Sequence, residues 1–226
     1  MVKVTWLGHS AFLIEIDGYN VIIDPWITNP KAPSRIPDLK NIDLIIVTHG
    51  HEDHIGDSIE LMRKSSAKLI AIFDLANELI RRGAPEDRVI GANIGGPVIT
   101  GLGELKVALT SATHSSPVGS PTGVVVIGKE KRIYHAGDTG VTMDMKLIGE
   151  IYKPDIALLP IGGHFTMDPV EAAYAVKLIQ PRIAIPMHYG TFPVLYGDPR
   201  VFEEEVKKLS INTKVVILNP GDTYSE

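Results

Sequence analysis

Three histidines and two acidic residues lie within six positions, in the segment His-Gly-His-Glu-Asp-His at residues 49–54, directly after an apolar run. Neutral imidazole nitrogens and carboxylate oxygens are the ligands that zinc and similar divalent metals prefer. Because side chains alternate along an extended segment, His49 and His51 can point the same way and bind one ion. Asp53 and His54, at the start of a following helix, can turn toward a second ion. A solvated histidine loop or a tag-like cluster is the alternative, but a tag lies at a terminus without a strand before it.

Three further candidate ligands, His114, Asp138 and His188, each lie shortly after a predicted strand. Ligands at strand ends converge on one edge of a sheet and are held rigidly, as a preorganised metal site requires. The alternatives are ordinary loop histidines at His114 and His188, and a helix cap at Asp138 for a helix beginning near Thr139. These three positions supply the additional ligands that a site for two metal ions needs.

The elements that position these residues can be predicted from local patterns. Short runs rich in β-branched residues, bounded by glycine, aspartate or proline, predict strands at residues 2–7, 11–16, 19–23, 44–47, 68–73, 105–110, 124–127, 132–135, 156–160, 183–186 and 214–218. Apolar residues at helical spacing predict helices at residues 55–64, 75–82, 143–152, 169–179 and 199–209. Mainly consecutive strands with a few helices favour two packed sheets flanked by helices over a doubly wound parallel sheet. We predict one domain over residues 1–226.

A proline-rich connection follows the third predicted strand, with Pro25, Pro30, Pro33 and Pro37 around Trp26. So many prolines prevent regular structure but stiffen a loop. The connection is therefore either the wall or lid of a pocket or a plain surface connector.

Composition excludes several classes of function. The 226-residue chain has a net charge of −5 and contains no basic run, which argues against a nucleic-acid partner or an anionic membrane surface. Because the chain has no cysteine, disulfides and thiolate ligands are impossible, and histidine and carboxylate must supply any metal ligands. The first residues read as a strand rather than a signal peptide, and no apolar stretch reaches about 18 residues, so we expect a cytoplasmic protein.

With these motifs, the chain resembles the metallo-β-lactamase fold superfamily. It carries the HxHxDH signature, with a histidine, an aspartate and a histidine downstream in the expected order. The resemblance spans essentially the whole chain. It is closest to short metal-dependent hydrolases related to the ascorbate-phosphate lactonase branch, through the segments at residues 8–12, 23–26 and 186–192.

The resemblance implies an α+β fold, the αββα four-layer sandwich, with two adjacent sites for divalent metal ions. His49, His51 and His114 would bind the first ion. Asp53, His54 and His188 would bind the second, and Asp138 would bridge both. Zinc is the expected metal, with manganese, nickel and iron as alternatives.

Two adjacent ions would lower the pKa of a bridging water from about 15.7 toward about 7, so that hydroxide is available at neutral pH. The hydroxide would attack an ester, lactone, amide or phosphodiester centre. Asp53 is the candidate to orient this nucleophile and accept its proton, because a carboxylate ligand keeps a free oxygen for that task.

Five other residues are candidates for supporting roles. Asp24 could hydrogen-bond a ligand histidine or could be an ordinary turn aspartate. His9 is expected near the site, as a structural histidine or a substrate contact, and His135 as a packed or supporting group. His164 could line the substrate pocket, and Tyr189 could stabilise an oxyanion or simply pack in the core.

These observations predict a hydrolase for a small intracellular ester, lactone or phosphodiester. Nucleic-acid-processing relatives usually carry a large inserted domain, thioesterase relatives a helical C-terminal portion, and secreted lactamases an export signal. Two alternatives are an iron-dependent redox enzyme on the same fold and a non-catalytic metal-binding module. The expected partner is a small-molecule substrate, with neither nucleic acid nor membrane, and the oligomeric state is left open to include a homo-oligomer.

Overall fold

The fold is built on two mixed sheets, seen in a computed structural model that describes residues 1–209 and 211–226. In spatial order, the strands of the first sheet are β14 (Thr223–Ser225), β1 (Val2–Trp6), β2 (Phe12–Ile16), β3 (Tyr19–Ile23), β4 (Leu44–Ile46), β5 (Lys68–Ile72) and β6 (Val89–Ala92). Those of the second sheet are β13 (Lys214–Val215), β12 (Ile183–Met187), β11 (Ile156–Pro160), β10 (Arg132–His135), β9 (Thr122–Ile127), β8 (Leu105–Ser111) and β7 (Val98–Leu102).

Both sheets combine antiparallel hairpins with parallel strands. In the first sheet β1 to β3 pair antiparallel and β3 to β6 pair parallel, while β14 returns antiparallel to β1. In the second sheet β7 to β10 pair antiparallel and β10 to β13 pair parallel. Parallel neighbours need crossover connections, and helices lie in all of them except the connection from β3 to β4, which is the proline-rich segment.

The helices lie in these crossovers. They are α1 (Glu52–Ile55), α2 (Ser58–Lys64), α3 (Phe73–Arg81), α4 (Asp144–Tyr152), α5 (Pro169–Ile179) and α6 (Pro199–Lys208), with a 3-10 helix at Glu86–Arg88. Asp168 caps α5 by accepting hydrogen bonds from the backbone N–H groups of Val170 and Glu171, and Pro169 occupies its first turn. Across residues 1–209 and 211–226, no helix has the length and apolar character needed to cross a bilayer.

Alternating side chains of the second sheet build two apolar layers. Val124 and Val126 on β9 belong to the layer shared with the first sheet, whereas Val125 between them belongs to the layer under α4, α5 and α6. Burying a valine or isoleucine side chain contributes about 1.5–3 kcal/mol, so two filled faces hold each strand in register. On the far side of the first sheet, α2 and α3 add Met62 and Leu79 to the core. The predicted α+β sandwich of two mixed sheets flanked by helices is confirmed.

Most predicted strands and helices are present within one or two residues of the expected bounds; two are not, and three strands of the structure are not predicted. The single helix predicted at residues 55–64 is wrong, because Gly56 (φ 46°, ψ −127°) divides it into α1 and α2. The sequence patterns do not predict strands β6, β7 and β14. β6 and β7 begin with β-branched residues but are interrupted by Gly91 and Gly101, and the three residues of β14 are mainly polar. The last predicted strand ends at Val215 rather than at residue 218.

Candidate metal centre

The candidate ligands meet where the ends of β4, β8, β10 and β12 lie close together. Three groups of side chains place their donor atoms within 4.8 Å of one another, and these groups are His49, His51 and His114; His49, His54 and Asp138; and His9, Asp53, His54 and His188. All seven ligands expected from the sequence are members of these groups, and His9 is an additional member. The groups share His49 and His54, so they form one continuous cluster.

His49, His51 and His114 form one side of the cluster. The His49 Nε2 and His51 Nδ1 atoms are 2.9 Å apart, and the His114 ring lies 5.1 Å and 5.2 Å from the rings of His49 and His51. Burial, with the positive charge of His54 nearby, lowers the pKa of His49 to about 3. Burial also lowers the pKa of His114. Both rings are therefore neutral at pH 7, which is the form that binds a metal.

Asp138 lies between this side of the cluster and the other. Its Oδ2 atom is 3.0 Å from His188 Nε2, 3.3 Å from His54 Nε2 and 3.5 Å from His114 Nε2. Burial alone would raise the pKa of Asp138, but His188 and His54 outweigh it and hold this pKa well below its usual range. The buried carboxylate is therefore ionised and shared by residues of both sides, as a bridging ligand would be.

Gly137 determines how closely the Asp138 loop approaches the motif. A Cβ atom at this position would lie 2.5 Å from the Thr122 carbonyl oxygen and 3.2 Å from the Cβ atom of Thr48, which precedes the motif, and its φ of 62° is one that glycine adopts readily. The buried His135 accepts a hydrogen bond from the Gly137 N–H at Nδ1, and its Nε2 donates to the Ser10 carbonyl. His135 thus supports the loop from the core. The alternative that Asp138 caps a helix is wrong, because α4 begins at Asp144.

Asp53, His54 and His188 form the other side of the cluster. Asp53 Oδ2 lies 3.9 Å from His54 Nε2 and 3.0 Å from His9 Nε2. Burial would raise the pKa of Asp53, but the hydrogen bond from His9 and the charge of His54 lower it. The His188 backbone N–H donates to the His9 carbonyl at 3.0 Å. This contact joins the end of β12 to the turn between β1 and β2.

Asp24 follows β3 directly and forms a hydrogen bond to a candidate ligand histidine, which is one of the two roles expected for it. Its Oδ2 accepts from His54 Nδ1 at 2.7 Å, and Thr48 donates to the same carboxylate through its N–H at 2.8 Å and its hydroxyl at 2.7 Å. Burial favours a low pKa for His54, but Asp138 and Asp24 outweigh it and raise the pKa well above 6.5. Without a metal, the His54 imidazolium therefore supplies the positive charge between the two buried carboxylates.

Unpartnered atoms at the centre of this cluster fit a bound cation. His54 Nε2 and Asp138 Oδ1 are buried and have no hydrogen bond of good geometry within the described part of the chain. A buried polar atom left without a partner costs about 1–3 kcal/mol, and a metal ion would satisfy both atoms. The donor set of imidazole nitrogens and carboxylate oxygens suits zinc, manganese, nickel or iron.

Two other candidates lie outside the donor groups. His164 is exposed and its ring packs edge-on against Phe165 at 4.4 Å. Tyr189 is half-buried with its ring 5.2 Å from that of Trp6, and burial raises its pKa to about 12. These contacts of Tyr189 are those of core packing. The structure does not bring either side chain into the cluster of donor atoms.

Aromatic side chains line the cluster near His9. The rings of Trp26 and Phe192 lie 5.3 Å and 5.5 Å from the ring of His9, and they stack on each other at 6.0 Å. Both are half-buried. Trp26 belongs to the proline-rich connection, so this part of the connection forms a wall of the site.

Comparison with known proteins identifies the family. A family model described as "Beta-lactamase superfamily domain" matches residues 19–189. The chain is 56% identical over 236 residues to a UPF0173 metal-dependent hydrolase of Aeropyrum pernix, covering 99% of this chain and 97% of that relative. A relative of the same name from Hyperthermus butylicus is 53% identical over 227 residues, covering 99% of each. The solved structure of Igni18, a metallo hydrolase from Ignicoccus hospitalis, has a TM-score of 0.92 at 47% identity and covers 99% of this chain and 97% of that chain.

The segment matched by the family model contains all seven ligand positions expected from the sequence. The relatives cover nearly the whole chain, so the match is not confined to the histidine motif. The resemblance to the metallo-β-lactamase fold is confirmed. The chain belongs to the beta-lactamase superfamily, among the UPF0173 metal-dependent hydrolases.

Proposed function

We propose that the protein is a hydrolase with a binuclear metal site, most suited to zinc, that cleaves a small ester, lactone or phosphodiester. The observation that carries this proposal is the position of Asp138. Its Oδ2 lies within 3.5 Å of one histidine from the first side of the cluster and two from the second. A single carboxylate between two sets of imidazoles is what a pair of divalent ions requires.

We assign His49, His51 and His114 to one ion, Asp53, His54 and His188 to the other, and Asp138 to both. When bound, the two ions would supply a water of lowered pKa and would polarise the substrate oxygen. The ionised state of Asp138 and the neutral state of His49 already suit this ligand set.

Asp53 is the proposed catalytic residue. Its Oδ2 accepts the hydrogen bond from His9 and lies 3.9 Å from His54 Nε2, so the carboxylate is held beside the proposed ligands of the second ion. The lowered pKa of Asp53 keeps this carboxylate ionised and makes it a weak proton acceptor. Its main contribution is therefore to orient the nucleophile, and its acceptance of the proton accompanies bond formation.

The proposed substrate is a small molecule with an apolar portion. Trp26 and Phe192 form a stacked, half-buried aromatic surface beside His9, within reach of a group bound at the cluster. Aromatic walls with a few convergent polar groups are typical of small-molecule sites.

The replacement Asp53→Ala tests this function. Turnover of the best substrate from a panel of lactones, esters and phosphodiesters, assayed with zinc, manganese and nickel, should fall by about 10²–10⁴-fold. Glu52→Ala is the matched control, because Glu52 precedes Asp53 in α1, is exposed and pairs with Arg82 at the surface. The control should keep its activity, and both variants should keep the circular dichroism spectrum of the parent.

Three results would overturn the proposal. Unchanged turnover in metal-replete Asp53→Ala would remove the assigned role of Asp53. Iron in protein purified without added metal, together with no hydrolysis across the panel, would favour the redox alternative, since this donor set also suits iron. One tightly bound ion and no turnover of any substrate would favour a non-catalytic metal-binding module.

A further inference from the structure

His9 is a fully buried histidine whose two ring nitrogens both have partners. Its Nε2 lies 3.0 Å from Asp53 Oδ2, and its Nδ1 lies 2.9 Å from Thr191 Oγ1. Thr191 follows β12 and Asp53 lies in α1. The imidazole therefore connects two segments of the cluster that are 138 residues apart in the chain.

The direction of these hydrogen bonds follows from the chemistry of the partners. An ionised carboxylate only accepts, so the Nε2 of His9 must carry a proton and donate it to Asp53. In the neutral ring Nδ1 is then an acceptor, and the Thr191 hydroxyl donates to it.

The turn that carries His9 is fixed on both sides. His9 adopts φ 49°, a left-handed conformation that costs free energy for a residue with a side chain. Its carbonyl accepts from Trp6 Nε1 at 2.9 Å and from the His188 N–H at 3.0 Å. A Cβ atom on the neighbouring Gly8 would lie 2.7 Å from the Lys31 carbonyl oxygen. Surroundings that hold a strained residue this firmly are common at functional sites.

We propose that His9 is a positioning residue, which donates Nε2–H to Asp53 Oδ2 and thereby fixes the orientation of that carboxylate beside His54, at the proposed second metal site. The Thr191 hydroxyl completes the hydrogen bonding of this tautomer at Nδ1. The proposal rests on the proposed binuclear site for its catalytic consequence. The positioning role goes beyond the proposed function, because it concerns a residue outside the ligand set.

A role for His9 as an eighth ligand fits less well. The Nδ1 of His9 contacts Thr191, which lies outside the donor groups, and its Nε2 contacts Asp53 Oδ2 at a hydrogen-bond distance of 3.0 Å. An ion at Nε2 would also remove the proton that holds Asp53. The geometry therefore favours donation over coordination.

Nitrogen-15 spectra of histidine-labelled protein test the tautomer directly. We expect His9 to carry its proton on Nε2, with Nδ1 unprotonated, both before and after zinc is added. Loss of the Nε2 proton on adding zinc would make His9 a ligand, and a proton on Nδ1 in the metal-free protein would show that Asp53 does not receive it. Either result overturns the proposal, and neither measurement depends on finding a substrate.

Metal titration of His9→Ala and His9→Gln tests the consequence. We expect His9→Ala to bind the first ion normally and the second about 10–100-fold more weakly, the effect typical of losing a partner of a ligand. His9→Gln, whose amide N–H can reach Asp53, should recover most of the affinity. His164→Ala, at an exposed histidine outside the donor groups, is the matched control for metal affinity. Parent-like affinity at both sites in a folded His9→Ala would overturn the proposal.

Turnover separates this inference from the proposed function. If a substrate is found, kcat of His9→Ala should fall more than KM rises, because Asp53 remains present but is misoriented. If the panel shows no hydrolysis while His9→Ala still weakens the second ion, the hydrolase proposal fails and the positioning role of His9 stands.

Discussion

At the scale of single residues, His54 is the side chain on which the two buried carboxylates converge. Asp24 accepts a hydrogen bond from its Nδ1 at 2.7 Å, and Asp138 Oδ2 lies 3.3 Å from its Nε2. A proton on Nε2 compensates the carboxylate charge in the metal-free protein, and an ion at Nε2 would take the place of that proton. The hydrogen bond from Nδ1 to Asp24 fixes the ring orientation in both states.

We expect Asp24→Asn to weaken the second metal ion by about 10–100-fold, because the amide lacks the charge that strengthens the His54 imidazole as a ligand. Asparagine tolerates the left-handed conformation of Asp24 (φ 47°), so the backbone should be preserved. Competition with a fluorescent chelator measures the affinity. Asp17→Asn is the matched control, because Asp17 is also left-handed (φ 53°) but lies in an exposed turn. Equal affinities in the two variants would contradict the role of Asp24.

Residue types and spacing could predict the donor atoms but not all of their supporting contacts. His49, His51, Asp53 and His54 are close in the chain, and their chemistry can be read from six positions. The hydrogen bond between Thr191 and His9 joins residues 182 positions apart in the chain. Local sequence patterns carry no information about contacts between residues so far apart. The one available signal was that Thr191 belongs to the segment 186–192, on which the family resemblance partly rests.

At the scale of elements, the break between α1 and α2 attaches the proline-rich connection to the metal-binding motif. A Cβ atom on Gly56 would lie 2.5 Å from Trp26 Cα, so only glycine permits this approach. The next residue, Asp57, accepts hydrogen bonds from the backbone N–H groups of Ile27 at 2.9 Å and Thr28 at 3.2 Å. The break therefore holds Trp26 in the wall of the site.

The apolar spacing of residues 55–64 predicts one helix because it reports only the face turned to the core. Ile55, Leu61 and Met62 are indeed buried on that face. The interruption depends on the backbone of Trp26, which approaches from about 30 residues earlier in the chain. Helical periodicity carries no information about such an approach, whereas the strands flanking the motif could be predicted from their own composition.

We expect Gly56→Ala to lower the free energy of unfolding by about 2–4 kcal/mol, the sum of a left-handed alanine and a backbone clash. Denaturant unfolding measures this loss. Gly18→Ala is the matched control, because Gly18 has φ 85° but a Cβ atom added there would meet no heavy atom within 4 Å, so this variant reports the conformational cost alone. Similar losses in the two variants would show that the contact with Trp26 does not contribute.

At the scale of the whole molecule, the two sheets repeat one arrangement of strands. In each sheet an antiparallel pair is followed by three strands that run parallel to the second strand of that pair. The first connection to a parallel strand follows β3 in one sheet and β10 in the other. Asp24 follows β3 and Asp138 follows β10. The two carboxylates on either side of His54 therefore come from equivalent positions of the two sheets, and the metal centre lies where the sheets meet.

The sandwich could be predicted from the sequence, but the destination of its last strand could not. β14 leaves the second half of the chain and pairs with β1. Its three residues, Thr-Tyr-Ser, have no apolar pattern that would indicate a strand or select a sheet. The position of β14 is determined by its pairing with β1 and by the ion pairs of Glu226, the residue that follows it.

Glu226 connects the first sheet to the second through these charges. Its backbone pairs with Val2, while its carboxylate bonds Lys131 beside β10 and Arg182 beside β12, the latter at 3.1 Å. Burial opposes ionisation of Glu226, but the bonds from Lys131 and Tyr224 outweigh it and lower the pKa below the usual 4.5. A lowered pKa in the folded state means that the stabilisation is present above pH 4.5 and is lost as the pH falls through the folded pKa.

We therefore expect Glu226→Gln to reduce the free energy of unfolding of the metal-free protein by less than about 1 kcal/mol at pH 7, since the group is near the surface. The difference from the parent should shrink as the pH falls below 4.5 and through the lowered pKa of Glu226, because the parent carboxylate then also becomes protonated. Denaturant unfolding at a series of pH values measures this. Glu104→Gln, at an exposed residue whose nearest cation lies 3.8 Å away, should show little loss at any pH. A loss in Glu226→Gln that stays constant from pH 7 to pH 3 would mean that packing of β14, rather than the charges of Lys131 and Arg182, holds the two sheets together at this end.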